Sequence, residues 1–84
     1  MGTGILKQID VETMAERYYF VVVRRIADRI QIHSVQTFKP FELTLQVSEL
    51  RVGTDQARTT RGDKQYEFND DTGGLLTQLR NWTH

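Results

Sequence analysis

The sequence predicts an α+β domain: four to five antiparallel strands, arranged as a twisted sheet or a small partly closed barrel, with one amphipathic helix at the C-terminal end. Three observations predict it. A dense aromatic and β-branched run occupies residues 17–26, a strict apolar/polar alternation occupies 41–48, and Leu75, Leu76, Leu79 and Trp82 recur at helical spacing behind an acidic, glycine-bearing segment. The chain of 84 residues suits one domain spanning 1–84. A chain of this size buries only about 60 to 65 per cent of its unfolded surface, so self-association is a natural supplement to its stability.

The elements follow in order. Ile5, Ile9 and Val11 fall on alternate positions and predict a strand over 5–12, and Glu12–Arg17 is a connector with the composition of a single helical turn. Residues 17–26, Arg-Tyr-Tyr-Phe-Val-Val-Val-Arg-Arg-Ile, carry apolar side chains on both alternations. Tyr18, Phe20, Val22 and Ile26 share one face, and Tyr19, Val21 and Val23 share the other. A strand of that kind is expected to be covered on both sides, hence central. Ala27 and Asp28 form a hairpin tip, and the return over 29–36 places Ile30 and Ile32 on one face with Gln31 and His33 opposite.

Pro40, between Phe38 and Phe41, interrupts the chain, because it lacks the amide proton that a central ladder needs. Phe41, Leu43, Leu45 and Val47 then alternate with Glu42, Thr44, Gln46 and Ser48, the pattern of a half-exposed antiparallel strand. The phase shifts at Leu50 and Val52, which predicts a bulge or turn. Residues 53–64 contain no large apolar side chain and are expected to form a long polar loop. Tyr66 and Phe68 mark a short last strand; Asp70 and Asp71 cap a helix over 73–82 that lays one stripe on the sheet.

Composition narrows the chemistry. Eleven Lys and Arg balance eleven Asp and Glu, whereas a dedicated DNA-binding or membrane-surface domain carries a basic excess. The absence of cysteine removes disulfides, thiolate nucleophiles and sulfur-ligated zinc, and fits a reducing compartment. The N-terminal residues lack the charged start and apolar run of a signal peptide, Leu6 stands where a myristoylation signal needs Ser or Thr, and the apolar run Tyr18 to Val23 is too short to span a bilayer. A cytoplasmic protein with no membrane partner is the expectation.

Short motifs carry little. Arg61-Gly62-Asp63 matches an integrin-ligand tripeptide, but Gly62 is explained by a turn; Asn81-Trp82-Thr83 matches a glycosylation acceptor at the end of a helix. Residues 69–74 lack the distal acidic ligand of a calcium loop and the Gly-Lys-Ser/Thr of a phosphate loop, and helix capping accounts for them. His33 is the one histidine away from the terminus, with His84 at the chain end, and no nucleophile-elbow context surrounds Ser34 or Ser48. No catalytic residue, metal site or cofactor is expected.

The most suggestive cluster is the basic and aromatic hairpin, where Arg17, Arg24, Arg25, Arg29 and Lys39 stand against Asp28 alone. Arginines can hold phosphates bidentately and Tyr18 or Tyr19 can stack on bases. Against this, aromatic residues in a central strand ordinarily fill a core. Arg24, Arg25, Arg29, His33, Arg58 and Arg61 are the candidate binding surface. The expected function is a non-enzymatic protein-binding module (a regulator, inhibitor or assembly factor) whose partner is another protein or a further copy in a homo-oligomer; nucleic-acid binding is the alternative.

Overall fold

The computed structural model describes residues 2–35 and 40–83. Its strands are β1 (Gly2–Asp10), β2 (Glu16–Ile26), β3 (Arg29–Ser34), β4 (Glu42–Gln46), β5 (Arg51–Val52), β6 (Ala57–Arg61) and β7 (Lys64–Phe68), followed by helix α1 (Leu75–Thr83). All described strands join one seven-stranded antiparallel sheet in the order β4-β3-β2-β1-β7-β6-β5. The sheet curls into a half-barrel around α1. The expected four to five strands therefore undercount the sheet, although antiparallel pairing, partial closure and the terminal helix all hold.

One of the two additional strands lies within the expected polar loop, and the other just before it. Residues 57–61, Ala-Arg-Thr-Thr-Arg, form β6, whose inward side chains Ala57 and Thr59 are buried but small, so the segment shows no large apolar alternation. It returns to β7 through Gly62 and Asp63, and Gly62 has φ +61°, the left-handed geometry that a two-residue hairpin turn requires. The phase change after β4 is a 3₁₀ turn, Val47–Glu49, leading into the two-residue β5. β1 runs over Gly2–Asp10 rather than 5–12, so Val11 falls in the turn after it and is exposed. As expected, Ala27 and Asp28 are the β2–β3 tip, and Leu43 and Leu45 of β4 are buried between exposed Glu42, Thr44 and Gln46. Gln36, Thr37, Phe38, Lys39 and His84, which the sequence places on the end of the β3 strand, beside Pro40 and at the chain end, lie outside the described residues.

The core sits on the concave face. It gathers Leu6, Val21, Val23, Ile30, Ile32, Leu45 and Phe68 from the sheet under Leu75, Leu76 and Leu79 of α1. Even-numbered residues of β1 point inward, and there Gly4 lies against Leu75: a Cβ at that position would collide with the leucine side chain. Tyr19, Phe41 and Tyr66 close the core with their rings, Phe41 stacking on Tyr19 at 4.6 Å and meeting Tyr66 at a tilt at 5.7 Å between centroids. Asp71 caps α1 by accepting from the Thr77 amide (3.1 Å) and hydroxyl (3.0 Å).

One expectation is overturned. β2 is interior to the sheet, but only its Tyr19, Val21 and Val23 face is covered; Tyr18, Phe20 and Ile26 are exposed. The physical reason is that the single helix lies on the concave side and no described element crosses the convex one. The inward position of β1 is likewise Leu6; of the two apolar odd-numbered residues, Ile5 is exposed and Ile9 is buried.

Candidate docking surface on the convex face

The convex face can be read as rows across the ladder. Ile5 of β1 pairs with Phe20 of β2, and on the far side of Phe20 the Val35 amide donates to the Phe20 carbonyl at 2.9 Å. All three side chains are exposed, Phe20 at 55% and Val35 at 56%. The next row along one direction is Tyr18 beside Lys7; in the other direction it is His33, Val22 and Thr3. Tyr18 is 61% exposed, and Val22 is half-buried between its neighbours. A contiguous apolar band thus crosses β1 and β2 and ends on Val35, the residue after β3, a feature that marks interaction sites more often than monomer surface.

Charged groups bracket the band along β2. At one end Glu16 pairs with Lys7 at 3.1 Å and accepts from the Tyr18 hydroxyl at 3.3 Å. The Lys7 ammonium is held above its ordinary pKa chiefly by its hydrogen bond to Glu16. At the other end Arg24 donates through Nε to Gln31 Oε1 at 3.0 Å. Among the described residues the Arg24 terminal nitrogens have no carboxylate within ion-pair range.

The residues expected to form a binding surface are not brought together as one patch. Arg24 and His33 share a shallow hollow on the convex face with Gln31, Glu42 and Thr44. Arg25 is a structural tie: it donates to the Ala27 carbonyl at 2.7 Å and to the Trp82 carbonyl at 2.6 Å, joining the hairpin tip to the C-terminal turn of α1, where a cation suits the dipole. Arg29 lies 3.7 Å from Asp28 at the tip. Arg58 sits on the other half of the sheet, directly opposite Arg51 of β5 and next to Glu67. Arg61 spans the mouth of the half-barrel, donating to the Thr44 carbonyl of edge strand β4 at 2.9 Å and to both carboxylate oxygens of Glu49 at 3.0 and 3.1 Å. Glu49 is held below its ordinary pKa by the Gln46 amide and then by Arg61.

Sequence reasoning missed Ile5 and Val35 as members of the band. The available signal was in β1 itself: Ile5 stands in register with Phe20 and extends the exposed apolar face of β2, whereas Ile9 on the same alternation is buried. Among the described residues there is no cluster of three or more His, Cys, Asp or Glu able to hold a metal ion, and no helix long and apolar enough to cross a membrane. Compared with known proteins, the chain matches no family model, no curated protein and no solved structure.

Proposed function

We propose that this chain is a protein-binding module, of the kind that serves as a regulator, inhibitor or assembly factor, and that it docks through the convex face of β1, β2 and β3. The observation that carries the reading is the row Ile5, Phe20 and Val35, flanked by Tyr18 and Val22 and covered by no described element of the chain. Burying a side chain such as Phe20 is worth about 1.5 to 3 kcal/mol relative to leaving it in water, so a partner that covers the row gains several such increments. Aromatic anchors at the centre of a charged rim are also the usual make-up of an interface hot spot.

What weighs against a nucleic acid as partner is the company the arginines keep. Arg25 and Arg29 are engaged with carbonyls and Asp28, and Glu16 and Glu42 stand on the same face as Arg24. A phosphate backbone would meet carboxylates at both margins of the band.

The test is a photo-crosslinking amino acid placed at position 20 and, separately, at Thr60, an exposed position of β6. Crosslinked protein adducts are expected from position 20 and not from position 60. Absence of protein adducts from position 20, or equal adducts from both, would remove the convex band as a docking surface.

A further inference from the structure

We infer that the occupant of this face is a second copy of the chain, packed face to face so that β2 runs antiparallel over β2 of its mate, about a two-fold axis lying in the interface at Phe20. The inference rests on the reading of the convex band as a docking surface and supplies its partner.

The outward positions of β2 read Glu16, Tyr18, Phe20, Val22, Arg24 and Ile26. The series is apolar from Tyr18 to Val22, and the oppositely charged Glu16 and Arg24 lie equally far from Phe20, with Ile26 beyond Arg24 at the hairpin tip. At about 3.3 Å per residue each charge lies roughly 13 Å from the centre. A two-fold axis in the interface plane and perpendicular to β2 reverses the strand direction while keeping the sideways order of strands. It therefore sets Arg24 of each copy over Glu16 of the other, Tyr18 over Val22, Phe20 over Phe20 and Ile5 over Ile5. Lys7, which pairs with Tyr18, falls over Thr3, which pairs with Val22, so no like charges meet there.

The other face-to-face two-fold, with its axis along β2, sets Arg24 over Arg24 and Glu16 over Glu16. Like-charge juxtaposition across an interface is repulsive, so the charge pattern selects the antiparallel arrangement. Sheets pack about 10 Å apart and about 30° from aligned. That rotation displaces the ends by roughly 7 Å, a gap that the long side chains of Arg24 and Glu16 bridge at the rim. The chemistry of the ends suits the contact: Arg24 holds Gln31 through Nε, and among the described residues no carboxylate pairs with its terminal nitrogens, which can face a carboxylate bidentately.

An edge-to-edge dimer is less well served. The edge strand β4 has its Thr44 carbonyl taken by Arg61, and the Gln46 amide that follows is taken by Glu49.

The test is analytical ultracentrifugation of the full chain and of Glu16→Arg and Arg24→Glu, alone and mixed in equal amounts. The wild-type chain is expected to sediment as a reversible dimer. By symmetry each substitution converts two attractive pairs into two repulsive ones, so each variant alone should dimerise at least tenfold more weakly. The equal mixture should recover wild-type affinity to within about threefold, because every Arg then faces a Glu. That recovery also establishes that both variants are folded. A wild-type chain that stays monomeric to millimolar concentration overturns the inference, as does a dimer that neither variant weakens. If the chain is monomeric while position 20 still crosslinks to a different protein, the docking surface stands and the second copy falls; if position 20 yields no protein adduct, both fall.

Discussion

Ala27 occupies the first position of the β2–β3 turn with φ +55°, a conformation in which its Cβ crowds the following carbonyl. The composition of the tip was readable from the sequence, but the sign of φ was not, because alanine gives no warning of a left-handed turn. Ala27→Gly is expected to raise stability by up to about 1 kcal/mol, read as a higher urea midpoint at unchanged slope. The arginines illustrate the same limit. Arg58 and Arg61 look alike in the sequence, yet Arg61 clamps the mouth of the half-barrel and Arg58 stands opposite Arg51. Arg61→Ala should lower the urea midpoint, whereas Arg58→Ala should leave it unchanged or raise it by relieving a like-charge cross-strand pair. Nothing in the residue types distinguishes them; their place across the fold does.

At the scale of elements, alternation made β3, β4 and β7 legible because each has large side chains on one face and polar ones on the other. β6 escaped, since its inward residues Ala57 and Thr59 are too small to register as a buried face. The close approach of α1 to β1 depends on Gly4, and Gly4→Val should push the buried Leu75 out of place, at about 1 to 3 kcal/mol, seen as a lower thermal midpoint and early exchange of α1 amides. The element ends also set the pH dependence. The Lys64 ammonium and then the Glu12 and Thr13 amides hold the Asp10 carboxyl below its ordinary pKa, and Thr77 does the same for Asp71 at the start of α1. Carboxylates with lowered folded values contribute stability that is complete above their unfolded values near 4 and is lost as pH falls through the folded ones. Lys7 and Lys64 are raised, so their contribution is complete below their ordinary value of 10.5 and is lost as pH rises through the folded values. Urea midpoints should accordingly be flat from about pH 5 to 9 and fall on either side, and Asp10→Asn should shallow the acid limb. An acid limb unaffected by that substitution would contradict the assignment.

For the molecule as a whole, the sequence shows that β2 carries more apolar surface than one helix can hide, and the curl of the sheet leaves the second face exposed. Two apolar alternations establish a strand with two greasy faces; they do not say whether the second cover belongs to the same chain or to another molecule. Tyr18 and Phe20 were read as candidate core, and they are the exposed centre of the band. The candidate surface built from arginines was dispersed by the topology, because charge counted along the chain takes no account of which face each strand position presents. Phe20→Ser should reduce association sharply while leaving the thermal midpoint of the dissociated chain nearly unchanged, since Phe20 contributes little to its own core.

The most direct measurement is a nuclear magnetic resonance dilution series with a soluble paramagnetic probe, following the methyl groups of Ile5, Val22 and Val35 against those of Leu6, Val21 and Val23. At tens of micromolar the first set should be broadened by the probe, with Val22 least affected, and the second spared; toward millimolar concentration the first set should become protected as well. Ile5 and Val35 methyls protected at every concentration would mean that the chain covers its own convex face. Methyls broadened equally at every concentration would mean that no second copy docks there.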